Sequence, residues 1–357
     1  MNDEIVLNVK GRSFRGWTSV IVEKSMRQMA GSFGLSTTDI FPGEPEKWKI
    51  ALGDECVVEI NGQKVVTGYV EDIVIDYDKE THNIQFGGRD RTGDLVDCSF
   101  DDPAKEWIGL SIKEITERIC TPFDIDVVVD SSVLEDANAV YPDSVKANEG
   151  ETAFDLITRV CLMKAILPVS YGDGKLTLTR AGTGYKVYDV LIPGKNILKG
   201  NLDNSNKDRF QTYIVKGQGG GKDIKTIFDF ITAPVGRVTD NIINRYRPTI
   251  IFAEQKSDAG RCLKRAEWEM SNRAGASRSI NYEVQGWTQS NGKLWPLNAM
   301  VQINDKILGA LNKSLLISDL SFSINESGTI TRMRLVHPDT FRLFAKDPDE
   351  AILGWMR

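Results

Sequence analysis

The chain has 357 residues, of which 41% are hydrophobic and 26% charged, and its formal net charge is −6. This length predicts two or three folding units, and the composition is ordinary for a soluble globular protein. Because the charge balance is acidic, tight binding of nucleic-acid phosphates is disfavoured as the main activity. No apolar run is long enough to span a membrane, and the acidic first four residues lack the apolar region of a signal peptide.

Cysteine usage bears on the redox compartment. The five cysteines are Cys56, Cys98, Cys120, Cys161 and Cys262. Their number is odd and no two of them lie close together in the sequence. This spacing favours buried free thiols in a reducing cytoplasm over a disulfide framework.

Residues 1–97 are predicted to form an N-terminal β-barrel-like domain. The strongest local pattern is Asn61-Gly62 between two apolar strands, because both central residues of a type I′ turn need positive φ. Around this hairpin, apolar and polar residues alternate as in half-buried strands. The predicted strands are residues 5–9, 57–60, 64–75 and 84–89, with a polar turn at residues 76–81.

Residues 98–183 are predicted to form a small central α+β domain. Ser111 and Glu114 have the spacing of a capping box, in which both side chains satisfy free amides at a helix start. A weaker cap at Thr152 predicts a second helix that stops at Pro168. Further predicted features are a helix face of Ile112, Ile115 and Ile119, a turn at residues 171–174, and strand alternation at Leu176 and Leu178.

Residues 184–345 are predicted to form a C-terminal β-rich, barrel-like domain with one helix. Ser257 is the predicted N-cap of that helix, and residues 280–285 alternate like a strand. The remaining features are a buried helix stripe of Ala259, Leu263, Ala266 and Met270, and long loops at residues 217–221 and 233–248. Residues 346–357 form a polar tail, which either docks on a neighbouring molecule or frays.

The two strand-rich segments share a pattern. Each has a tryptophan, then two strands, a polar turn and a return strand. The matched pieces are Trp48 and Trp295, residues 58–61 and 301–304, residues 70–75 and 317–322, and residues 84–89 and 330–336. Alternation alone makes amphipathic hairpins look alike, so duplication and chance similarity both stay open. A duplication predicts one strand order for residues 40–90 and 290–337, and it would let three chains present six similar faces.

No catalytic or metal site stands out in the sequence. His82 is predicted in a turn and His337 precedes a proline, and neither lies near a nucleophile motif or a metal-spaced partner. Residues 217–222 are glycine-rich but lack phosphate-loop spacing, and Asp223 stands where a Ser or Thr is needed. We therefore predict no catalytic residues, no bound cofactor and no metal ligands.

Two other residue patterns have ordinary explanations. Acidic clusters could supply a glycosidase pair or a calcium loop, but the calcium spacing is incomplete and solvated turns explain them better. Arginines next to aromatic residues could bind nucleic acid, and they suit a subunit interface equally well. The acidic residues are Asp76, Asp78, Glu80, Asp101, Asp102, Asp347, Asp349 and Glu350, and the basic–aromatic groups are Arg12, Phe14, Arg15 and Trp17, and Arg245, Tyr246 and Arg247.

Three strings resemble the baseplate hub proteins of phage Mu-like contractile tails and their prophage relatives. Residues 9–39 read V-K-G-R-S-F-R-G-W-T-S-V-I-V-E-K-S-M-R-Q-M-A-G-S-F-G-L-S-T-T-D, and residues 67–72 read T-G-Y-V-E-D. Residues 87–99 read G-G-R-D-R-T-G-D-L-V-D-C-S, which is long enough to be quite specific. The resemblance continues through residues 154–180 and 259–340, and so covers nearly the whole chain.

This resemblance implies a viral structural protein of the tail baseplate, assembled in the bacterial host cytoplasm. The hub would be a homotrimer that connects the tail tube to the central spike, with two tube-like barrels in each chain. Phage DNA would pass through it without specific binding, and no membrane insertion is implied. The family has no known catalytic residues to carry over, and the resemblance assigns no interface residues.

The fold class that we expect is therefore strand-rich α+β, with two similar β-barrel or β-roll domains flanking or surrounding a small α+β domain. Three subunits would pair their strand edges around a channel, and the acidic balance fits a wall that repels phosphates. Two alternatives remain open. One is a tail-associated cell-wall hydrolase, and the other is a monomeric oligosaccharide- or nucleic-acid-binding barrel, which ultracentrifugation would show as a concentration-independent monomer.

A structural role predicts that the purified protein does not cleave peptidoglycan. In a zymogram with embedded cell wall, we expect no cleared band at the mass of this chain, while a lysozyme lane clears normally. A cleared band would favour the hydrolase.

Overall fold

The structure, a computed structural model, describes residues 3–38, 50–79, 82–101, 106–141, 144–217, 234–253, 258–325 and 328–344. Within these ranges the chain is strand-rich α+β, as the sequence predicts. The helices are α1 Gly93–Asp97, α2 Ile112–Cys120, α3 Leu134–Asn138, α4 Ala153–Leu162 and α5 Ala259–Ala276.

The strands of the first half are β1 Ile5–Val9, β2 Arg12–Phe14, β3 Ser19–Ser25, β4 Ser32–Thr38, β5 Glu55–Ile60, β6 Gln63–Tyr77, β7 His82–Asp90, β8 Glu106–Trp107, β9 Val127–Val129 and β10 Val145–Lys146. Those of the second half are β11 Leu167–Ser170, β12 Leu176–Thr179, β13 Ile197–Asn204, β14 Thr212–Lys216, β15 Val235–Thr239, β16 Pro248–Phe252, β17 Arg278–Gln285, β18 Met300–Asp305, β19 Ala310–Asn325 and β20 Gly328–Val336.

Twelve strands, from both the N-terminal and the C-terminal segments, form one antiparallel sheet. Its order is β13-β17-β20-β19-β3-β4-β7-β6-β5-β1-β2, and β18 pairs with β19 beside this path. The pairing of β3 with β19 joins the N-terminal and C-terminal segments. The two segments are thus parts of one continuous sheet, and the described strands do not close it into a barrel. Barrel closure stays a prediction.

The largest core lies against one face of this sheet. At the junction of the two segments, Val22 pairs with Phe322, and these side chains are 0% and 1% exposed. Fully burying an apolar side chain of this size is worth about 1.5–3 kcal/mol. The Asn61-Gly62 turn has the predicted positive φ values of 50° and 74°, and it fixes the register of the β5–β6 hairpin.

The central unit confirms both predicted helix caps. Ser111 Oγ accepts from the Glu114 amide at 3.2 Å, and Glu114 Oε2 accepts from the Ser111 amide at 2.8 Å. Thr152 caps α4. The predicted stop at Pro168 is wrong, because α4 ends at Leu162 and Pro168 lies in β11. That strand pairs only with β12, and such an edge position tolerates proline.

A third, smaller unit consists of β14, β15, β16 and α5. Asp258 caps α5 by accepting from the Arg261 amide at 2.7 Å, so Ser257, which lies outside the described residues, is not the N-cap. Leu263 is 41% exposed rather than buried, because Cys262 and Ala266 face the sheet instead. Strand β15 falls within the predicted 233–248 loop.

The hydrophobic clusters do not follow the three predicted domains residue by residue. Leu95 of α1 packs in the core of the central unit, although the sequence division assigns it to residues 1–97. The 184–345 segment contributes to the large sheet and also contains the third unit. The boundaries at residues 97, 183 and 345 stay a prediction.

Four of the five cysteines are buried free thiols, as predicted, and Cys98 is exposed. Burial raises the pKa of Cys56, Cys120 and Cys161 to about 12, so these thiols stay protonated at neutral pH. Cys98 differs because it follows α1 in an extended conformation at the surface. No described helix is long and apolar enough to cross a membrane.

Removing the α2 cap should destabilise the central unit. In Ser111→Ala the amide of Glu114 loses its acceptor, so we expect the free energy of unfolding to fall by about 1 kcal/mol in denaturant titrations. The matched control is Lys113→Ala in the same helix, whose surface ion pair with Glu117 spans 3.6 Å. Such a pair contributes about 0–1 kcal/mol, and an equal loss in both variants would contradict the capping role.

Candidate subunit interface

The two histidines lie at opposite ends of the sheet. His82 begins β7, so it is in a strand rather than the predicted turn, and its ring packs edge-on against Tyr77 at 5.9 Å. His337 follows β20 and accepts from the Asp339 amide at 3.3 Å. Since β7 begins at the end of the sheet where β20 also begins, the two histidines are not brought into one site.

The acidic residues that the sequence analysis singled out are also scattered. Asp76 pairs with Asn83 across the β6–β7 hairpin, and Asp78 follows β6. Among the described residues no group of histidine, cysteine, aspartate and glutamate could hold a metal ion. Glu80, Asp102, Asp347, Asp349, Glu350 and the glycine-rich residues 218–222, together with Asp223, lie outside the described residues.

The basic–aromatic groups do not form one surface. Trp17 is buried and packs edge-on against Phe86 at 6.1 Å, while Arg15 pairs with Glu4 at 2.8 Å. In the other group, the Arg247 guanidinium lies 5.0 Å from the centre of the Phe210 ring. These contacts stabilise the local structure around each group.

The predicted internal repeat is present in the strand pairing. Strands β5, β6 and β7 pair in the same order as β18, β19 and β20. A bulge interrupts β6 between Val70 and Asp72, and the equivalent bulge interrupts β19 between Ile317 and Asp319. Since these positions were matched on sequence alone, the shared bulge confirms the predicted strand order.

The repeat extends to four strands. Strand β4 pairs with β7 as β17 pairs with β20, and β3 pairs with β4 as β13 pairs with β17. We call β3-β4-β7-β6 the first repeat and β13-β17-β20-β19 the second repeat. Equivalent pairs have equal register, for example Leu35 opposite Phe86 and Tyr282 opposite Met333.

The structure shifts the sequence match between β5 and β18, the first strands of the two hairpins, by two residues. Gly53 donates to the Val70 carbonyl as Asn298 donates to the Ile317 carbonyl, and both donors have positive φ, 79° and 58°. Cys56 is therefore equivalent to Val301, whereas the sequence comparison had matched Val58 with Val301. A shift of two residues preserves the buried face, so alternation alone could not detect it.

The repeats differ in one respect, which is the pairing of their edges. In the second repeat, residues 319–324 of β19 pair with β20 on one side and with β3 on the other. Among the described strands, the equivalent residues of the first repeat, 72–77 of β6, pair with β7 only. Likewise β3 has two partners, whereas its equivalent β13 pairs with β17 alone among the strands that the structure describes. The chain therefore has two half-paired edges that match each other.

Apolar side chains are exposed along these edges. Phe322 is 1% exposed, but its equivalent Ile75 is 56% exposed, and Tyr77 at the end of β6 is 80% exposed. On β13, Leu198 is 56% exposed. An exposed apolar edge strand is a template for pairing with another strand. Applying the β3–β19 register to these edges would place Ile75 opposite Leu202.

Three charged side chains next to the open β6 edge form an ion-pair cluster. Arg89 donates to both Glu71 oxygens at 2.7 and 2.9 Å, and to Asp97 at 2.5 Å. These hydrogen bonds raise the pKa of Arg89, and the same guanidinium lowers the pKa of Asp97. Because Glu71 is the bulge residue of β6, its ion pair holds the strand at the point where the open edge begins.

Family models match most of the chain. The N-terminal model of the Mu phage baseplate assembly protein GpP-like matches residues 4–90, and the second-domain model of the baseplate hub protein gp44-like matches residues 92–180. The fourth-domain model of the Mu phage baseplate assembly protein GpP matches residues 259–344. The boundary between the first two matches falls between β7 and α1.

Individual relatives agree with these models. The chain is 31% identical to the baseplate hub protein gp44 of Escherichia phage Mu over 349 residues, which covers 96% of this chain and 89% of the relative. The 43 kDa tail protein of prophage MuSo2 from Shewanella oneidensis has 33% identity and a TM-score of 0.83, with 96% of this chain and all of that chain covered.

A more distant structure has the same fold. The tail protein from Neisseria meningitidis MC58 is 20% identical, with a TM-score of 0.76 over 96% of this chain and 99% of that chain. These likenesses agree with the strand-rich sheet, and the extensive identity to phage Mu gp44 confirms the resemblance found in residues 9–99. The chain belongs to the family of Mu-like phage baseplate hub proteins.

Proposed function

We propose that three copies of this chain form a closed ring, in which β6 of each copy pairs with β13 of the next. The observation that carries this proposal is the contrast between equivalent residues: Phe322 is buried by β3, while Ile75 is exposed because no described strand lies beside it. Pairing with β13 of a neighbour would repeat the β3–β19 junction between chains. Every repeat would then have a partner on both sides, which removes the open edges.

The ring would present six similar repeats at one end and a threefold arrangement at the other. The β6–β7 and β19–β20 hairpins lie at the same end of their repeats. At the opposite end the repeats differ, because the central unit follows β7 and the third unit lies between β13 and β17. The hairpin end suits a hexameric tail tube, and the other end suits a threefold spike.

DNA would pass through the ring along the open face of the sheet. This face has mixed charge. Glu23 lies on it beside Ile21 in β3, and Asp203 lies on it beside Asn201 in β13. On the same face, Arg332 pairs with Glu283 at 3.0 Å. The acidic surplus expected from the sequence is not concentrated on this face. A wall on which acidic side chains lie beside the cations would hold phosphates weakly, because Glu23, Glu283 and Asp319 repel them.

Engineered cysteines can report the proposed register. The β3–β19 register places Val74 opposite Asp203 of the next copy, as Ser321 lies opposite Glu23 within the chain. We expect Val74→Cys/Asp203→Cys to form disulfides between chains, because opposed antiparallel residues have Cα atoms about 4.5–5.5 Å apart. A non-reducing gel should then show a ladder that ends at the trimer.

The control for this experiment uses a shifted pair in the same background. The exposed native thiol is removed by Cys98→Ser, and Lys199→Cys replaces the position on β13 four residues away, a displacement of about 13 Å. Cross-linking of Val74→Cys with Lys199→Cys but not with Asp203→Cys would contradict the register. A ladder that ends at the dimer or continues beyond the trimer would contradict the ring.

A charge at the β6 edge should prevent assembly without unfolding the chain. Since Ile75 is exposed in the single chain, Ile75→Lys should leave the unfolding midpoint nearly unchanged. Within the ring the lysine would face Leu202 in an apolar environment, so we expect monomers by light scattering where the parent protein is a trimer. Val128→Lys, at an exposed apolar residue of the central unit, is the control that stays trimeric. A trimeric Ile75→Lys variant would contradict the proposed edge.

A further inference from the structure

The open face of the second repeat contains a cavity of about 550 Å³, although the chain as a whole is acidic. Strands β13, β17, β20, β19 and β3 all contribute to its lining. The cationic side chains in this lining are Lys24, Arg27, Lys199, Arg332 and Arg334, and the anionic ones are Glu23, Glu283 and Asp319. The cavity thus has a cationic surplus on an acidic protein.

Four of these eight charges are engaged by the protein itself. Arg332 pairs with Glu283 at 3.0 Å, and Lys24 donates to the Tyr171 carbonyl at 2.6 Å. Asp319 accepts from the hydroxyls of Ser25 and Ser318 at 2.5 and 2.6 Å. Two hydroxyl donors therefore satisfy the Asp319 carboxylate, which forms no ion pair with Arg27 or Arg334 in the described part of the chain.

Arg27 and Arg334 are two of the four charged side chains that remain. Neither has a carboxylate within ion-pair distance in the described part of the chain, and Arg334 Nε is buried without a hydrogen-bond acceptor there. Arg27 lies 5.5 Å from the centre of the Phe341 ring, which orients its guanidinium. Burial lowers the pKa of Arg27, and the nearby positive charge of Arg334 lowers it further. Asp319 partly offsets this lowering from beyond ion-pair distance, and the cationic surplus of the cavity favours an anion beside the two guanidinium groups.

We propose that Arg27 and Arg334 bind a carboxylate of an acidic polypeptide segment that lies in this cavity. Guanidinium groups bind carboxylates through two parallel N–H···O bonds, and the side chains of Arg27 and Arg334 both line the cavity. A cavity of this volume is large enough for a few residues of an extended peptide.

The surrounding charges favour a peptide over DNA. Duplex DNA presents a phosphate charge about every 1.7 Å along its axis, so its backbone would also meet Glu23 and Asp319. A peptide can place one carboxylate at the arginines and neutral groups beside the acidic residues. The mixed charges of the lining therefore favour a ligand whose negative charges are far apart over one whose charges are closely spaced.

The site occurs once per chain despite the internal repeat. By the shared register, Arg332 and Arg334 are equivalent to Gln85 and Gly87 of the first repeat. A Cβ at Gly87 would already lie 3.3 Å from Asp72 Cβ, which leaves little room there for an arginine side chain. The cation pair therefore distinguishes the two repeats on the face that they share.

The test uses the full chain and a fluorescein-labelled hexapeptide of alternating glutamate and serine, followed by fluorescence anisotropy at low ionic strength. Arg334→Gln and Arg27→Gln should each weaken binding about tenfold to a hundredfold, since each removes charge-assisted hydrogen bonds. Arg334→Lys keeps the charge but not the planar fork, so it should lose most of the same affinity. Thermal melting establishes that each variant is folded.

Arg245→Gln is the matched control, because Arg245 is exposed and does not line the cavity. It should bind the peptide like the parent protein. Equal affinity in Arg334→Gln and the parent protein, or equal losses in Arg334→Gln and Arg245→Gln, would overturn the proposal. So would tighter binding of a labelled DNA duplex of matched charge that is lost in the same variants, which would assign the site to nucleic acid. All of these residues lie within one chain, so the result does not depend on ring formation.

Discussion

Backbone hydrogen bonding between β3 and β19 is the interaction on which the rest of the structure depends. It joins two segments that lie at opposite ends of the sequence, and it buries Val22 against Phe322 at their junction. Without it, each repeat would have unpaired edges on both sides, and polar backbone groups would remain without partners. Such a non-local pairing costs chain entropy on closing, which the apolar face has to offset.

The same junction accounts for the two half-paired edges of the described sheet. The two repeats pair with each other inside the chain, so the outer edge of each repeat has no partner among the described strands. These outer edges are β6 and β13. The exposed Ile75 and Leu198 are therefore consequences of the repeat and need no separate explanation.

The units outside the repeats are held by their own ion pairs and cores. In the central unit, Arg159 binds Glu151 at 2.8 Å, with both side chains nearly buried. In the third unit, Arg209 binds Asp240 at 2.6 Å in a similar environment. Removing one partner of such a pair leaves an uncompensated buried charge, so each pair holds one arrangement of its unit. The central unit and the third unit are therefore each stabilised separately from the sheet that the two repeats share.

The sequence by itself determined the local structure of this protein. Alternation predicted the strands, the Asn61-Gly62 turn predicted a hairpin, and the spacing of Ser111 and Glu114 predicted the cap of α2, because each depends on contacts between neighbouring residues. Similar patterns in the two strand-rich segments also predicted one strand order. Local alternation says which side chains share a face, and it does not say which strand lies beside another.

The exposed strand edges and the cavity could be identified only from the tertiary structure. Ile75 and Phe322 occupy equivalent positions in similar sequences, yet one is exposed and the other buried, because a strand distant in sequence covers only the second. The two-residue shift of β5 relative to β18 was hidden for the same reason, since it leaves the buried face unchanged. Arg27 and Arg334 likewise belong to opposite ends of the chain, and they come together only because β3 and β20 both lie next to β19.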